Sequence, residues 1–132
     1  MAYSSTESGR FEVYIRPISQ NSANGGPGIG KWQVSSAGGT YPEWSSTSKE
    51  IFFRSPENQI MAAPYTISGD TFVPGKPRVW STVHIAEIGT SRNYDVHPDG
   101  KRILALLPAE SKGDSHVTVL LNFFDELKRK VK

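Results

Sequence analysis

The sequence predicts an all-β chain: about two and a half to three four-stranded antiparallel blades related by an internal repeat, a partial β-propeller, with a short helix at the C-terminus. Three observations carry this. Turn-forming clusters recur about every dozen residues, short β-rich runs lie between them, and segments 52 residues apart match one another. Composition agrees, since twelve glycines, nine prolines, three Trp, five Tyr and six Phe, with few long helix-forming runs, favour short strands joined by turns.

The punctuation comes from Glu7-Ser8-Gly9, Asn24 to Gly28, Gly38-Gly39, Ser55 to Asn58, Ser68-Gly69-Asp70, Pro98-Asp99-Gly100 and Lys112-Gly113-Asp114. These supply the φ-permissive and side-chain-capping residues that turns need. Laying "YDVHPDGKRILAL" over "PEWSSTSKEIFFR" pairs Asp95 with Glu43, Val96 with Trp44, Lys101 with Lys49, Ile103 with Ile51 and Ala105 with Phe53. Extending outward brings Tyr3-Ser4-Ser5 into line with Phe53-Arg54-Ser55, and Gly30 to Val34 into line with Gly75 to Val79.

A period of about 50 residues holding four short strands is the size of a propeller blade. With strands lettered A to D from the axis outward, the first unit (1–37) holds B at Ala2 to Ser5, C at Phe11 to Ile18 and D at Lys31 to Ser35. The second (40–88) holds A at Tyr41 to Ser45, B at Glu50 to Arg54, C at Gln59 to Tyr65 and D at Arg78 to His84. The third (92–132) holds A at Asn93 to His97, B at Arg102 to Leu107 and C at His116 to Leu121. After it, Leu120, Phe124, Leu127 and Val131 recur at helical spacing behind Asn122, an N-cap residue, which predicts the terminal helix. Ile51-Phe52-Phe53 is a continuous apolar run, and Ile103 to Leu107 and Val117 to Leu121 read as strands buried on both faces, because apolar residues fill both phases of the alternation. All three units are expected to form one domain over residues 1–132.

Several chemistries find no support. A net charge of +2 gives no polyanion-binding signature despite the basic last five residues, so no nucleic-acid partner is expected. Without cysteine there is no disulfide, thiolate nucleophile or cysteine metal cluster. The polar residues after Met1 do not read as a signal peptide, and no apolar run nears the ~20 residues of a membrane helix. A soluble chain without a membrane partner is expected, its compartment open. His84, His97 and His116 lack the i, i+4 spacing of a zinc helix, and the Asn24 to Gly30 loop lacks the Gly-Lys-Ser/Thr ending of a phosphate loop. There is no Gly-x-Ser-x-Gly elbow either, so neither enzyme activity nor a cofactor or metal is expected. Asp99, between Pro98 and Gly100, is expected to accept hydrogen bonds from its own turn.

The candidate binding residues are Tyr41, Glu43, Trp44, Tyr94 and Asp95. The aromatics, with Trp32 and Trp80, are of the kind that stack on sugars or peptides, although packing between blades is the expected role of most. Glu43 and Asp95 occupy equivalent positions of successive units, best suited to tying neighbouring loops together. Phe123, Phe124 and Leu127 of the terminal helix suit either an oligomer interface or the chain's own last blade.

Together "AYSSTESGRFEVYIRPI", "GKWQVSSAGGTYPEWS", "KEIFFRS", "NYDVHPDGKRILAL" and "VTVLLNFFDELKRKV" resemble the C-terminal part of the TolB-like (WD40-like) β-propellers that bacteria fuse behind serine/threonine protein kinase domains. The resemblance spans nearly the whole chain and implies fold rather than activity, because the shared residues form turns and strand cores. The family's Ser-Pro-Asp-Gly turn survives as His97-Pro98-Asp99-Gly100 but is replaced by Ser45-Ser46-Thr47-Ser48 in the second unit. No kinase glycine loop, His-Arg-Asp or Asp-Phe-Gly sequence is present. Both a complete gene product and a piece of a kinase-linked chain are compatible with Met1.

Fewer than three full blades leave strand edges and blade faces open, and two such chains would make the six-bladed ring that the resemblance implies. The expected function is therefore a non-catalytic scaffold or binding module, completed by homodimerisation and taking a protein or small ligand. The alternative is a carbohydrate- or peptidoglycan-binding module that uses exposed aromatics. An enzymatic reading would rest on Glu43 and Asp95.

Overall fold

The computed structural model describes residues 1–18, 30–69, 71–89, 91–108 and, in backbone, 117–121. Among these residues every regular element is a β-strand, and all pairing is antiparallel. The first sheet holds β1 (Ala2–Ser5), β2 (Glu12–Ile15) and β3 (Trp32–Gln33) in that order. The second runs β4 (Thr40–Trp44), β5 (Glu50–Arg54), β6 (Ile60–Ser68) and β7 (Thr71–Pro74), with β8 (Arg78–Val79) also paired to β6. β9 (Tyr94–Val96), β10 (Arg102–Leu106) and β11 (Val117–Leu121) form the third, with β10 central.

All ten strands expected from the sequence occur, several of them shorter than the apolar runs suggested. The expected Phe11 to Ile18 strand pairs only over Glu12–Ile15, and the outer strands β3 and β8 have two residues each. β7 is an addition. The expected Gln59 to Tyr65 strand continues to Ser68, turns at Gly69 in the left-handed region (φ 60°) and returns as Thr71–Pro74. β-branched Thr66, Ile67, Thr71 and Val73 favour extension, and Phe72 is buried by it, so the second sheet has five strands where four were expected. The expected C-terminal helix, with Phe123, Phe124 and Leu127, lies outside the described residues.

The 52-residue match is also a match of register. Glu43 faces Phe52 and Trp44 faces Ile51, as Asp95 faces Leu104 and Val96 faces Ile103. The same backbone bond closes each turn, Ser45 N–H to the Glu50 carbonyl at 3.0 Å and His97 N–H to the Arg102 carbonyl at 2.9 Å. Different side chains hold the two turns. Asp99 Oδ1 accepts from the amides of Lys101 (2.8 Å) and Arg102 (3.2 Å), whereas Ser45 Oγ accepts from those of Thr47 (3.4 Å) and Ser48 (3.1 Å). Ser45 thus caps its turn from the side chain as Asp99 caps the equivalent Pro98-Asp99-Gly100 turn.

Two apolar clusters hold the sheets together, one on each side of the second sheet. Ile51, Phe53, Ala63 and Phe72 meet Val13, Ile15 and Val34 of the first unit. Phe52, Ile60 and Ala62 meet Trp80, Ile85, Tyr94, Ile103 and Ala105 on the opposite side. The continuous run Ile51-Phe52-Phe53 is buried on both faces, each side chain contributing about 1.5–3 kcal/mol. The Ile103 to Leu107 run is not. Ile103 and Ala105 are buried, but Leu104 is 46% exposed, because no described sheet covers the outer face of the third.

A buried carboxylate fixes the passage from the first sheet to the second. Glu12 accepts from Ser35 Oγ, from the Gly38 amide at 3.1 Å and from Arg10 Nε at 2.7 Å, while Ser35 Oγ also accepts from the Val13 amide at 2.8 Å. Gly39 is required there. A Cβ at that position would lie 2.9 Å from Phe53 Cδ2, 2.9 Å from Ser35 Oγ and 3.0 Å from Val13 Cγ2.

Candidate functional site

Four of the five candidate binding residues meet where β4 of the second sheet approaches β9 of the third. The Tyr94 hydroxyl donates to the Tyr41 carbonyl, and the Val96 amide donates to Glu43 Oε1 at 3.4 Å. Arg92 lies 3.5 Å from Glu43 Oε2 and 3.5 Å from Asp95 Oδ1, bridging the two carboxylates that the repeat makes equivalent. Nearby, Ser46 Oγ donates to the Pro98 carbonyl at 2.9 Å, tying one equivalent turn to the other.

The backbone explains why Tyr41 presents its carbonyl. β4 shifts register between Thr40 and Glu43, and Tyr41 sits at φ 53°, a left-handed conformation costly for a side chain of its size. Such a conformation persists only where its surroundings enforce it. Here the Tyr94 hydroxyl holds the carbonyl and the Arg54 guanidinium lies 4.9 Å from the ring centre.

Burial pushes Glu43 up from the ordinary 4.5 to about 7, with hydrogen bonding to Asp95 adding to the rise and the positive charge of Arg92 opposing it. Tyr94 moves far above the ordinary phenol range, mainly through burial and then through the charge of Glu43. A carboxyl that keeps its proton to near-neutral pH can donate one, but this one is packed between two sheets. Asp95, by contrast, is largely exposed and lines a shallow cavity of about 250 Å³ with His97, Pro98, Arg102 and Leu104, on the face of the third sheet that no described sheet covers.

Asp99, beside that cavity, is held at about 2 by the Lys101 amide first, with Arg102 and His97 assisting. Its carboxylate contacts Arg102 Nε at 2.9 Å and His97 Nδ1 at 3.2 Å, so the ionisable groups of this turn largely satisfy one another.

Trp44, the fifth candidate, is not part of the group. It points to the other side of β4, edge-on to Tyr65 (5.2 Å between ring centres) and Phe72 (6.2 Å), and is 39% exposed. Trp80 packs against Phe52 at 6.1 Å and Trp32 against Phe72 at 5.8 Å, in agreement with a packing role for most aromatics. Two residues of the site escaped the sequence reading, Arg54 and Arg92. Arg54 carries a signal, a charge directly after Ile51-Phe52-Phe53 where the apolar run demands burial; Arg92, in a loop before a strand, carries none.

No protein-family model matches the chain, and neither a curated protein nor a solved structure shows significant similarity to it.

Proposed function

We propose that the chain is a non-catalytic binding module, part of a β-propeller of TolB-like type, completed to a six-bladed ring by a second copy of itself. The observation that carries this is Leu104. It belongs to a run composed for burial on both faces, its counterpart Phe52 in the preceding unit is fully buried, and yet Leu104 is 46% exposed. The next sheet of a ring would cover it as the third sheet covers Phe52, and a second chain can supply that sheet. The ties between β4 and β9 then act as the joint between successive blades, with Tyr94, Glu43 and Arg92 in structural rather than catalytic roles. The faces of the completed ring would take a protein or a small ligand.

The test is Leu104→Lys, which places a charge in the proposed contact without disturbing the buried side of β10. It should shift the chain from dimer to monomer elution in size-exclusion chromatography with its circular dichroism unchanged. Equal elution of variant and parent as monomers would reject the reading.

Trp44 favours a second reading, carbohydrate binding. Its exposed ring stands beside half-buried Tyr65, an arrangement suited to stacking on a sugar face. Quenching or a shift of tryptophan fluorescence by peptidoglycan-type oligosaccharides, abolished in Trp44→Ala, would establish it; an unchanged spectrum would dismiss it.

A further inference from the structure

We propose that each chain carries a binding site for a small carboxylate at Arg54. This residue ends β5, is only 8% exposed, and its Nε and Nη1 are buried without a hydrogen-bond partner. None of the ion pairs among the described residues includes it. A guanidinium cannot shed its proton, so a fold that buries one leaves both a charge and directional donors to be satisfied. The Tyr41 ring at 4.9 Å offers a π-face to the cation but no acceptor to the N–H groups.

Arg54 is part of the wall of a cavity of about 280 Å³, shared with Arg10, Phe11, Pro56, Asn58 and Glu87. That is near the lower end of small-ligand pockets, ~300 Å³, so the occupant is fragment-sized. The charges select its valence. Arg10 is neutralised by Glu12 at 2.7 Å, leaving one buried cation, Arg54, and one exposed acid, Glu87, among the lining residues. A singly charged carboxylate compensates Arg54 and matches its planar fork, whereas a doubly charged phosphate would be repelled by Glu87. Phe11, 53% exposed, and Pro56 give the cavity an apolar side, which suits a carboxylate attached to an apolar body. All of these residues belong to one chain, so the site does not depend on ring closure.

Benzoate is the probe and benzamide, of the same shape but uncharged, its control, both titrated calorimetrically into the full chain at millimolar concentration. Benzoate should bind and benzamide should not, and Arg54→Gln should weaken benzoate by about tenfold to a hundredfold, the range for a lost charged hydrogen bond. If Arg54→Gln fails to fold, Phe11→Ala replaces it; Phe11 is exposed, so the fold should persist while benzoate affinity drops severalfold. In the parent chain the Arg54 Nε–H resonance should shift on titration with benzoate. Absence of benzoate binding, equal binding of benzamide, or unchanged affinity in a folded Arg54→Gln would overturn the proposal.

Discussion

Replacing Tyr94 by Phe removes one oxygen from the joint between the second and third sheets and leaves the buried ring in place. The hydroxyl donates to the Tyr41 carbonyl, at a bulge where Tyr41 is held at φ 53°. Without it the carbonyl loses its donor inside the joint, which costs about 1–3 kcal/mol; the ring packing, and so the cavity contribution, is nearly unchanged. For 132 residues at ~2.1 cal/mol/K each, the unfolding entropy near 60 °C is about 0.28 kcal/mol/K. The variant should therefore melt about 4–11 °C below the parent in differential scanning calorimetry at neutral pH. A drop smaller than about 2 °C would mean that water satisfies the carbonyl equally well, and the account of the joint as a dry, hydrogen-bonded lock would be wrong.

Three further outcomes follow from the same physics. Because Glu43 holds its proton to about 7 rather than 4.5, the folded state binds more protons between these values, so its contribution to stability is complete below 4.5 and fades as pH rises through 7. Glu43→Gln, neutral throughout, should flatten that decline in melting temperature, and an unchanged slope would count against the buried, protonated carboxyl. Asp99 acts with the opposite sign: held at about 2 against an ordinary 3.8, it adds stability above 3.8 that is lost as pH falls through 2, so Asp99→Asn should flatten the acid limb. Gly39→Ala should cost about 1–3 kcal/mol in urea denaturation, because its methyl would meet Phe53, Ser35 and Val13 at 2.9–3.0 Å; parental stability would show that these neighbours yield freely.

Much of the architecture was legible in the sequence because local rules and the repeat point the same way. Turn residues set the hairpin positions, and the 52-residue match of sequence is also a match of register, Glu43 with Phe52 in one hairpin and Asp95 with Leu104 in the other. β7 was missed because Thr71-Phe72-Val73 is too short a run to announce a strand; it forms where Phe72 can join Trp32, Trp44 and Tyr65. Strand ends were overextended at Phe11 and at Ser81 to His84, where apolar or β-branched residues continue after the pairing partner has ended. Repeat equivalence links only Glu43 and Asp95; Tyr41 and Tyr94, which the 52-residue offset does not pair, meet because the Tyr41 carbonyl, at the β4 bulge, accepts the Tyr94 hydroxyl. Strand alternation sends Trp44 to the face of β4 opposite Glu43, and Arg54 and Arg92 went unseen because what makes each matter is its partner, or lack of one, in space.

Whether a second copy completes the third sheet is decided by the mass of the intact chain in solution, measured by light scattering at micromolar concentration. A completed ring should scatter as a particle of twice 14.6 kDa, stable on dilution and reduced to half by Leu104→Lys. A parent chain that scatters as a 14.6 kDa monomer would contradict it.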